Sequence, residues 1–212
     1  MKLQSQHFQA KTAEALADTA GVAQRDVMAL FAPLLRDAAV QEFGSFEALR
    51  QHVKHIRQHS LDNLDYYLAR FELEATNNGN QVHYADTSEE MNSIVLDICQ
   101  QHDARRVAKG KSMVTEETGL NDFLQRGGLE VVETDLGEYI IQQAGETPSH
   151  IVGPALHKSE QQIRELFLEK HALGERELET TAELVTEART VLREHFLKAD
   201  VGIIGSNALI AE

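Results

Sequence analysis

Lysines, carboxylates and histidines gather between residues 109 and 158, where polar turns follow short apolar runs. The three segments that carry them are KGKSM at 109–113, TDLGEY at 134–139 and PSHIVGPALHK at 148–158. In an open α/β protein the ligand binds beyond the carboxyl ends of the strands, so the residues directly after each apolar run matter most. The spacing therefore predicts a polar cleft flanked by lysines.

The first segment combines positive charge with a permissive backbone. Lys109 and Lys111 supply the charge, and Gly110 lets the chain come close to a ligand. Ser112 can donate a hydrogen bond near a helix start, so the turn suits a phosphate or a carboxylate. A solvated turn with a serine cap explains the same residues. The pattern lacks the Gly-x4-Gly-Lys-Ser/Thr order of the phosphate-binding loop of nucleotide hydrolases.

The second segment places two carboxylates at a helix start. Thr134 and Asp135 follow an apolar run, and Gly137 precedes Glu138. Because Asp135 and Glu138 are three residues apart, they can act as a capping pair for free backbone N–H groups. The alternative is that one of them contacts a ligand or serves as a general base.

The third segment contains two histidines. His157 follows the Gly153-Pro154 turn and is the better candidate for acid–base work, with Lys158 adding charge. His150 opens an apolar run, where a buried, hydrogen-bonded histidine is the simpler interpretation. Elsewhere His52, His55 and His59 lie three and four residues apart on one predicted helix. That spacing could hold a metal, but the nearby Lys54 and Arg57 favour a solvated polar face.

Composition excludes several classes of function. The 212 residues carry 20 basic and 34 acidic side chains, a formal charge of −14, which argues against nucleic acid as the partner. No apolar run reaches the roughly 20 residues of a membrane span, and the first 20 residues lack a signal-peptide core, so a cytoplasmic location is expected. Cys99 is the single cysteine, which rules out a disulfide or a four-thiolate cluster within this sequence. Its aliphatic neighbours predict a buried packing residue.

The elements that must position these residues follow from hydrophobic periodicity. Residues 1–80 are predicted to be helical. One long amphipathic helix, straight or bent, is expected from Phe46; its apolar spacing slips near Ser60, and it ends at a turn cluster, Asn77–Asn80. After it, short apolar runs alternate with helices. The predicted strands are Gln81–Ala85, Arg106–Ala108, Leu129–Glu133, His150–Val152 and Val201–Ile204. This order indicates an α/β fold, an open and mostly parallel sheet with flanking helices, over residues 81–212.

Helix boundaries can also be predicted. Thr87 with Glu90 and Ser159 with Gln162 match capping boxes. Gly127-Gly128 is expected to end a helix that begins near Thr115. A longer helix is predicted over Arg176–Lys198, with one apolar stripe, before the last strand.

These segments resemble the lactate utilization protein B family, whose amino-terminal portion is a LUD (lactate utilization) domain. The resemblance runs from about Ile56 to the last residue. Its most specific matches are Lys109, Lys111-Ser112-Met113-Val114, Glu116-Glu117, residues 133–141, Pro148-Ser149-His150-Ile151, Pro154, Ala155, His157, Lys158, Gly205, Asn207 and Glu212.

The resemblance implies a fold similar to the NagB/RpiA/CoA-transferase group, in a protein that oxidises L-lactate to pyruvate with two partner proteins. It also implies two iron–sulfur clusters, bound by cysteine motifs in a carboxyl-terminal part and used for electron transfer. Because those cysteines are absent, we expect this chain to be the amino-terminal portion, a component of an oxidoreductase complex that holds no cofactor and is not catalytic alone.

The candidate site residues combine both lines of reasoning. Asp135, Glu138 and His157 are the candidate catalytic residues. The candidate ligand contacts are Lys109, Lys111, Ser112, Glu116, Thr134, Gly137, His150, Lys158, Asn207 and Glu212.

Two other functions remain open at this point. One is a stand-alone domain or enzyme that binds a small anion, such as a nucleotide or an acyl-coenzyme A, in the lysine-flanked cleft. The other is an inactive assembly scaffold, which would use the helices before Asn77 and the exposed sheet edge after Val201–Ile204 as interaction surfaces.

Overall fold

The computed structural model describes residues 5–149 and 153–205. Two compact units make up the chain: Asp26–Ala85 forms one, and the residues through Arg25 together with those from Asp86 form the other. The predicted boundary between a helical extension and an α/β domain after residue 80 stays a prediction. No helix in the described part of the chain is long and apolar enough to cross a membrane.

The first part of the chain is helical, as predicted. A short 3-10 turn at Ser5–His7 precedes α1 (Phe8–Ala17), α2 (Thr19–Gln41), α3 (Phe46–Asp62) and α4 (Leu64–Asn77). The single long helix expected from Phe46 is therefore two helices. The break falls at Asn63, whose Nδ2 donates a hydrogen bond to the His59 carbonyl at 2.8 Å and so competes with the helical ladder. Neither α3 nor α4 has a buried side chain.

The strand predicted at Gln81–Ala85 is wrong, since the described backbone there is irregular. Val82 is half-buried and the other four side chains of this segment are exposed, so the run offers no apolar face to a sheet. Tyr84 instead donates its hydroxyl to Glu72 on α4, at 3.2 Å.

Three described strands form a parallel sheet, and this confirms the predicted α/β class. They are β1 (Arg106–Lys109), β2 (Glu130–Glu133) and β3 (Val201–Ile203), in the order β2-β1-β3. Three of the predicted strands therefore match within one residue, whereas the predicted strand His150–Val152 lies outside the described residues. In register, Lys109 at the end of β1 stands beside Glu133 on β2 and Ile203 on β3.

Helices cover both faces of this sheet. Their bounds are α5 (Ser88–Gln101), α6 (Met113–Glu117), α7 (Leu120–Arg126), α8 (Leu136–Ala144), α9 (Glu160–Lys170) and α10 (Thr181–Lys198). Val131 packs into one core with Cys99 and Leu124, while its neighbour Val132 packs against the other core, around Tyr139 and Phe167. Successive strand residues point to opposite faces, which explains the division. Cys99 is fully buried, as predicted.

The helix starts mostly follow their capping signals. Ser159 and Gln162 form the complete predicted capping box. Thr87 accepts a bond from the Glu90 amide, but the Glu90 carboxylate turns to the amide of Asp86 at 2.8 Å, so only half of the other box is present.

Two predicted helices differ from those observed. Gly119, at a φ of 65°, separates α6 from α7, so the helix expected from Thr115 to Gly127 is two short helices. The left-handed conformation ends α6 at a position where glycine adopts it freely. The helix expected from Arg176 begins only at Thr181, where Thr180 and Glu183 form a capping box.

Candidate functional site

The last residues of β1 and β2 form a buried ion pair. Lys109 Nζ lies 2.7 Å from Glu133 Oε1, and both side chains are almost completely excluded from solvent. Glu116 Oε1 is 3.7 Å from the same nitrogen. The pairing follows from the sheet register, because residues that stand side by side on neighbouring strands project to the same face.

Glu133 gains a second partner from α7. Asn121 Nδ2 donates to its Oε1 at 2.5 Å. Burial raises the pKa of the Glu133 carboxyl above its usual value, and the hydrogen bonds from Lys109 and Asn121 oppose that shift. Removing one member of a buried ion pair leaves an uncompensated charge, which costs about 3–5 kcal/mol. Lys109, predicted as a ligand contact, is therefore buried in an ion pair at the carboxyl end of β1.

A second lysine–carboxylate pair lies nearer the surface. Lys111 Nζ donates to Glu138 Oε1 at 2.8 Å; the lysine side chain is one-third exposed and the glutamate is buried. Burial and the hydrogen bond to Asp135 raise the pKa of Glu138 to about 7, against the opposing effect of Lys111. In turn, the hydrogen bond from Glu138 is the largest cause that lowers the pKa of Asp135. We call Lys111, Asp135 and Glu138 the strand-end cluster.

The start of α8 fixes the two carboxylates of the strand-end cluster. Asp135 is the helix cap, and its Oδ2 accepts a hydrogen bond from the Gly137 amide at 3.2 Å. Glu138 follows in the first turn. A Cβ at Gly137 would lie 2.8 Å from Cγ of Pro154, so glycine lets the 153–156 turn pack against this helix start. The capping and chemical interpretations of Asp135 are therefore compatible.

Ser112, Thr134 and Gly205 hold the strand ends together. Ser112 caps α6 by accepting a bond from the Thr115 amide at 3.3 Å. The Thr134 hydroxyl donates to the Lys109 carbonyl at 2.9 Å. A Cβ at Gly205 would overlap Ser112, so the chain after β3 passes directly over the start of α6. Ser112 and Thr134, two of the predicted ligand contacts, thus make cap and backbone interactions at the strand ends.

His157 and Lys158 contact Glu146, which follows the carboxyl end of α8. His157 Nε2 lies 2.8 Å from Glu146 Oε2, and Lys158 pairs with the other oxygen of that carboxylate. The described contacts thus tie both residues to Glu146 and do not link them to the strand-end cluster. His150, Asn207 and Glu212, the remaining predicted contacts, lie outside the described residues.

Sequence reasoning missed a polar network between α8, α9 and α10. The Tyr139 hydroxyl lies 2.9 Å from His171 Nε2, and His171 Nδ1 lies 3.0 Å from Glu187 Oε1. Arg176 Nε donates to Glu187 Oε2 at 2.6 Å. Burial, then the Glu187 charge, raises the pKa of Tyr139 to about 12, and burial lowers the pKa of His171. We call these four residues the buried network.

The weak sequence signal for the buried network explains why it was missed. Tyr139 and Glu187 sit within regular helical patterns, and His171 and Arg176 lie in an irregular segment. For Glu133, by contrast, a signal existed, because it ends β2 directly before Thr134. Among the described residues, no group of three or more histidine, cysteine, aspartate or glutamate side chains is arranged to hold a metal ion.

Sequence comparison identifies the family to which this α/β domain belongs. The model of the LUD domain family matches residues 68–212, which include the segments 109–113, 134–139 and 148–158. The chain belongs to the LUD domain family.

Several curated proteins named lactate utilization protein B are similar to this chain. The chain is 49% identical to lactate utilization protein B of Bacillus velezensis over 175 residues, which are 82% of this chain and 36% of that protein. It is 47% identical, with the same coverage, to the proteins of that name from Bacillus subtilis and Geobacillus sp.. The chain thus spans about 36% of the length of these relatives. No solved structure matches it.

Proposed function

We propose that this chain contributes the LUD domain of a lactate utilization system that oxidises L-lactate to pyruvate. Membership of the LUD family and the name of its curated relatives support the lactate assignment. The observation that carries the chemical part is the Lys111–Glu138 pair, at 2.8 Å, beyond the carboxyl ends of parallel strands. Open α/β sheets bind their ligands at that place.

The strand-end cluster has the groups that a 2-hydroxy acid requires. In this proposal Lys111, the more exposed member, binds the substrate carboxylate through a charge-assisted hydrogen bond. Glu138 and Asp135 form the acid–base pair that receives the hydroxyl proton. A carboxyl with a pKa of about 7 is suited to proton transfer at neutral pH, because both of its protonation states are populated.

Oxidation of lactate to pyruvate also removes the Cα hydrogen as a second proton, together with two electrons, and these need an acceptor outside the strand-end cluster. The resemblance implies iron–sulfur clusters for the full-length family, and such clusters are held by several thiolates. Cys99 is the single cysteine of this sequence and is buried among Val107, Leu120 and Leu124, so these residues do not fit a cluster. We assign this chain substrate binding and proton transfer, and we assign the electron acceptor to a partner subunit or another polypeptide segment.

Isothermal titration of the chain with L-lactate tests the binding step. We expect L-lactate to bind and Lys111→Gln to weaken it about tenfold or more, because a charge-assisted hydrogen bond contributes roughly 1.5–3 kcal/mol. Lys170→Gln, which removes an exposed lysine at the end of α9, is the matched control and should bind as the unmodified chain does. Absence of binding, or equal binding by both variants, contradicts the assignment.

A growth experiment tests the role in oxidation. The corresponding segment of Bacillus subtilis lactate utilization protein B would be replaced by this chain, and growth on L-lactate measured in a strain that lacks the native protein. We expect growth with the unmodified segment and with Glu194→Gln, and no growth with Glu138→Gln. A chimera that accumulates normally but supports no growth contradicts the proposal.

A further inference from the structure

A groove lies between the start of α8 and the second half of α10. Its volume is about 650 Å³, within the range of roughly 300–1,000 Å³ for small-molecule sites. Thr134 and Leu136 line one wall, and they flank Asp135 of the strand-end cluster. The groove therefore adjoins the proposed lactate site, yet it is far larger than a three-carbon acid requires.

The groove has an apolar floor. Leu136, Leu192 and Phe196 line it, and the Phe196 side chain is 55% exposed although it belongs to the apolar stripe of α10. A partly exposed aromatic ring beside two leucines gives an apolar ligand about 25 cal/mol for each Å² removed from water.

Two arginines give the groove a charge. Arg189 and Arg193 are one helical turn apart on α10, so both project to the side that Phe196 also occupies. Within residues 5–149 and 153–205, neither forms an ion pair or a hydrogen bond.

The acidic residues of the same helix have other partners. Glu187 bonds to His171 and Arg176, and Glu194 pairs with Lys198 at 3.1 Å. The sequence has a formal charge of −14, so two arginines without a described carboxylate partner are unusual on its surface. Because they lie beside an apolar floor, they are complementary to an anion with an apolar body.

We propose that the groove binds an amphipathic anion, an apolar chain that ends in a carboxylate. The chain packs on Leu136, Leu192 and Phe196, and the carboxylate binds to Arg189 and Arg193. This ligand is distinct from the hydroxy acid assigned to the strand-end cluster, and the proposal for the groove does not depend on that assignment.

Titration calorimetry of the full chain with decanoate, decanol and acetate tests the proposal. Decanoate carries both features, and each of the other two probes carries one. We expect decanoate to bind at least tenfold more tightly than decanol or acetate. Equal affinity for decanol, or no binding of decanoate, overturns the proposal.

Variants locate the site. Arg189→Gln with Arg193→Gln should weaken decanoate about tenfold, in line with the loss of a charge-assisted hydrogen bond. The matched control, Arg57→Gln with Arg70→Gln, removes two exposed arginines from α3 and α4 and should leave the affinity unchanged. Phe196→Ser should bring the affinity for decanoate close to that for acetate. All of these side chains are exposed, and circular dichroism of each variant checks its fold.

The assembly state supplies a further test. Light scattering over a hundredfold range of protein concentration should give a mass that decanoate does not change. The contrary result is a concentration-dependent dimer that excludes decanoate and is abolished by Phe196→Ser. It would show that a second copy of the chain occupies the groove, and it would overturn the proposal.

Discussion

Glu138 and Tyr139 are consecutive residues of α8, yet they enter two polar clusters of different character. Tyr139 joins the buried network, in which its hydroxyl, both nitrogens of His171 and both oxygens of Glu187 have hydrogen-bond partners. Glu138 joins the strand-end cluster, where no N–H group among the described residues donates to its Oε2 and the neighbouring Asp135 helps to raise its pKa. A satisfied network stabilises a fold, whereas a carboxyl with a shifted pKa beside an accessible lysine marks a site for chemistry.

The largest effect should come from breaking the buried network. Glu187→Ala leaves His171 Nδ1 without its partner, removes the ion pair of Arg176 and creates a cavity. We expect the free energy of unfolding to fall by about 3 kcal/mol, as when one member of a buried pair is removed. Urea denaturation measures it.

Glu194→Ala, on the same helix, is the control for that substitution. Its ion pair with Lys198 is exposed, so the change should stay below about 0.5 kcal/mol. Similar losses for the two variants would remove the distinction between the buried network and an ordinary surface pair.

The strand-end cluster should affect the pH dependence of the free energy of unfolding. Because the folded-state pKa of Glu138 is raised from 4.5 to about 7, the folded state binds the proton more tightly than the unfolded state does. The associated stability is complete below about pH 4.5 and is lost as the pH rises through 7, by about 3 kcal/mol. The lowered pKa of Asp135 acts in the opposite direction, but at more acidic pH.

Glu138→Gln should reduce the change in the free energy of unfolding over this pH range. Urea denaturation at about pH 5 and about pH 7.5 compares the variant with the unmodified chain. An equal slope in both proteins would assign the pH dependence to other groups.

A smaller effect should follow from the contact that places Asp135 and Glu138. Gly137→Ala puts a methyl group 2.8 Å from Pro154 Cγ, which the turn must move to accommodate. We expect a loss of about 1 kcal/mol, since overpacking outweighs the better helix propensity of alanine. Gly202→Ala is the control, because nothing lies within 4 Å of a Cβ at that position. Thermal unfolding that ranks Gly202→Ala as the more damaging change would contradict this packing.

Sequence reasoning recovered the features that depend on local signals. The caps at Ser159, Thr87 and Asp135 and the parallel strands follow from residue types and short spacings, and the structure contains them. Lys109 shows where such reasoning stops. Its burial depends on Glu133, which reaches it only through the register of two strands 24 residues apart in sequence. A single sequence does not reveal that register.

Longer-range packing accounts for the other differences. The buried network joins Tyr139 to Glu187 across three elements, and no periodicity marks such a contact. Gly119 separates α6 from α7 because the chain must turn there, although glycine inside a helical pattern is often tolerated. The strand predicted before His157 lies outside the described residues, so its position at a strand end stays a prediction, and the structure adds the pair with Glu146 that the sequence does not indicate.

The most direct test of the strand-end cluster is a carbon-13 NMR titration of the Glu138 carboxyl. We predict a midpoint near pH 7 in the unmodified chain. In Asp135→Asn the midpoint should fall, because the neighbouring carboxylate that favours the protonated form is gone. A midpoint near the ordinary glutamate value of about 4.3 in both proteins would contradict the account, since Glu138 would then be an ordinary ion-pair partner of Lys111.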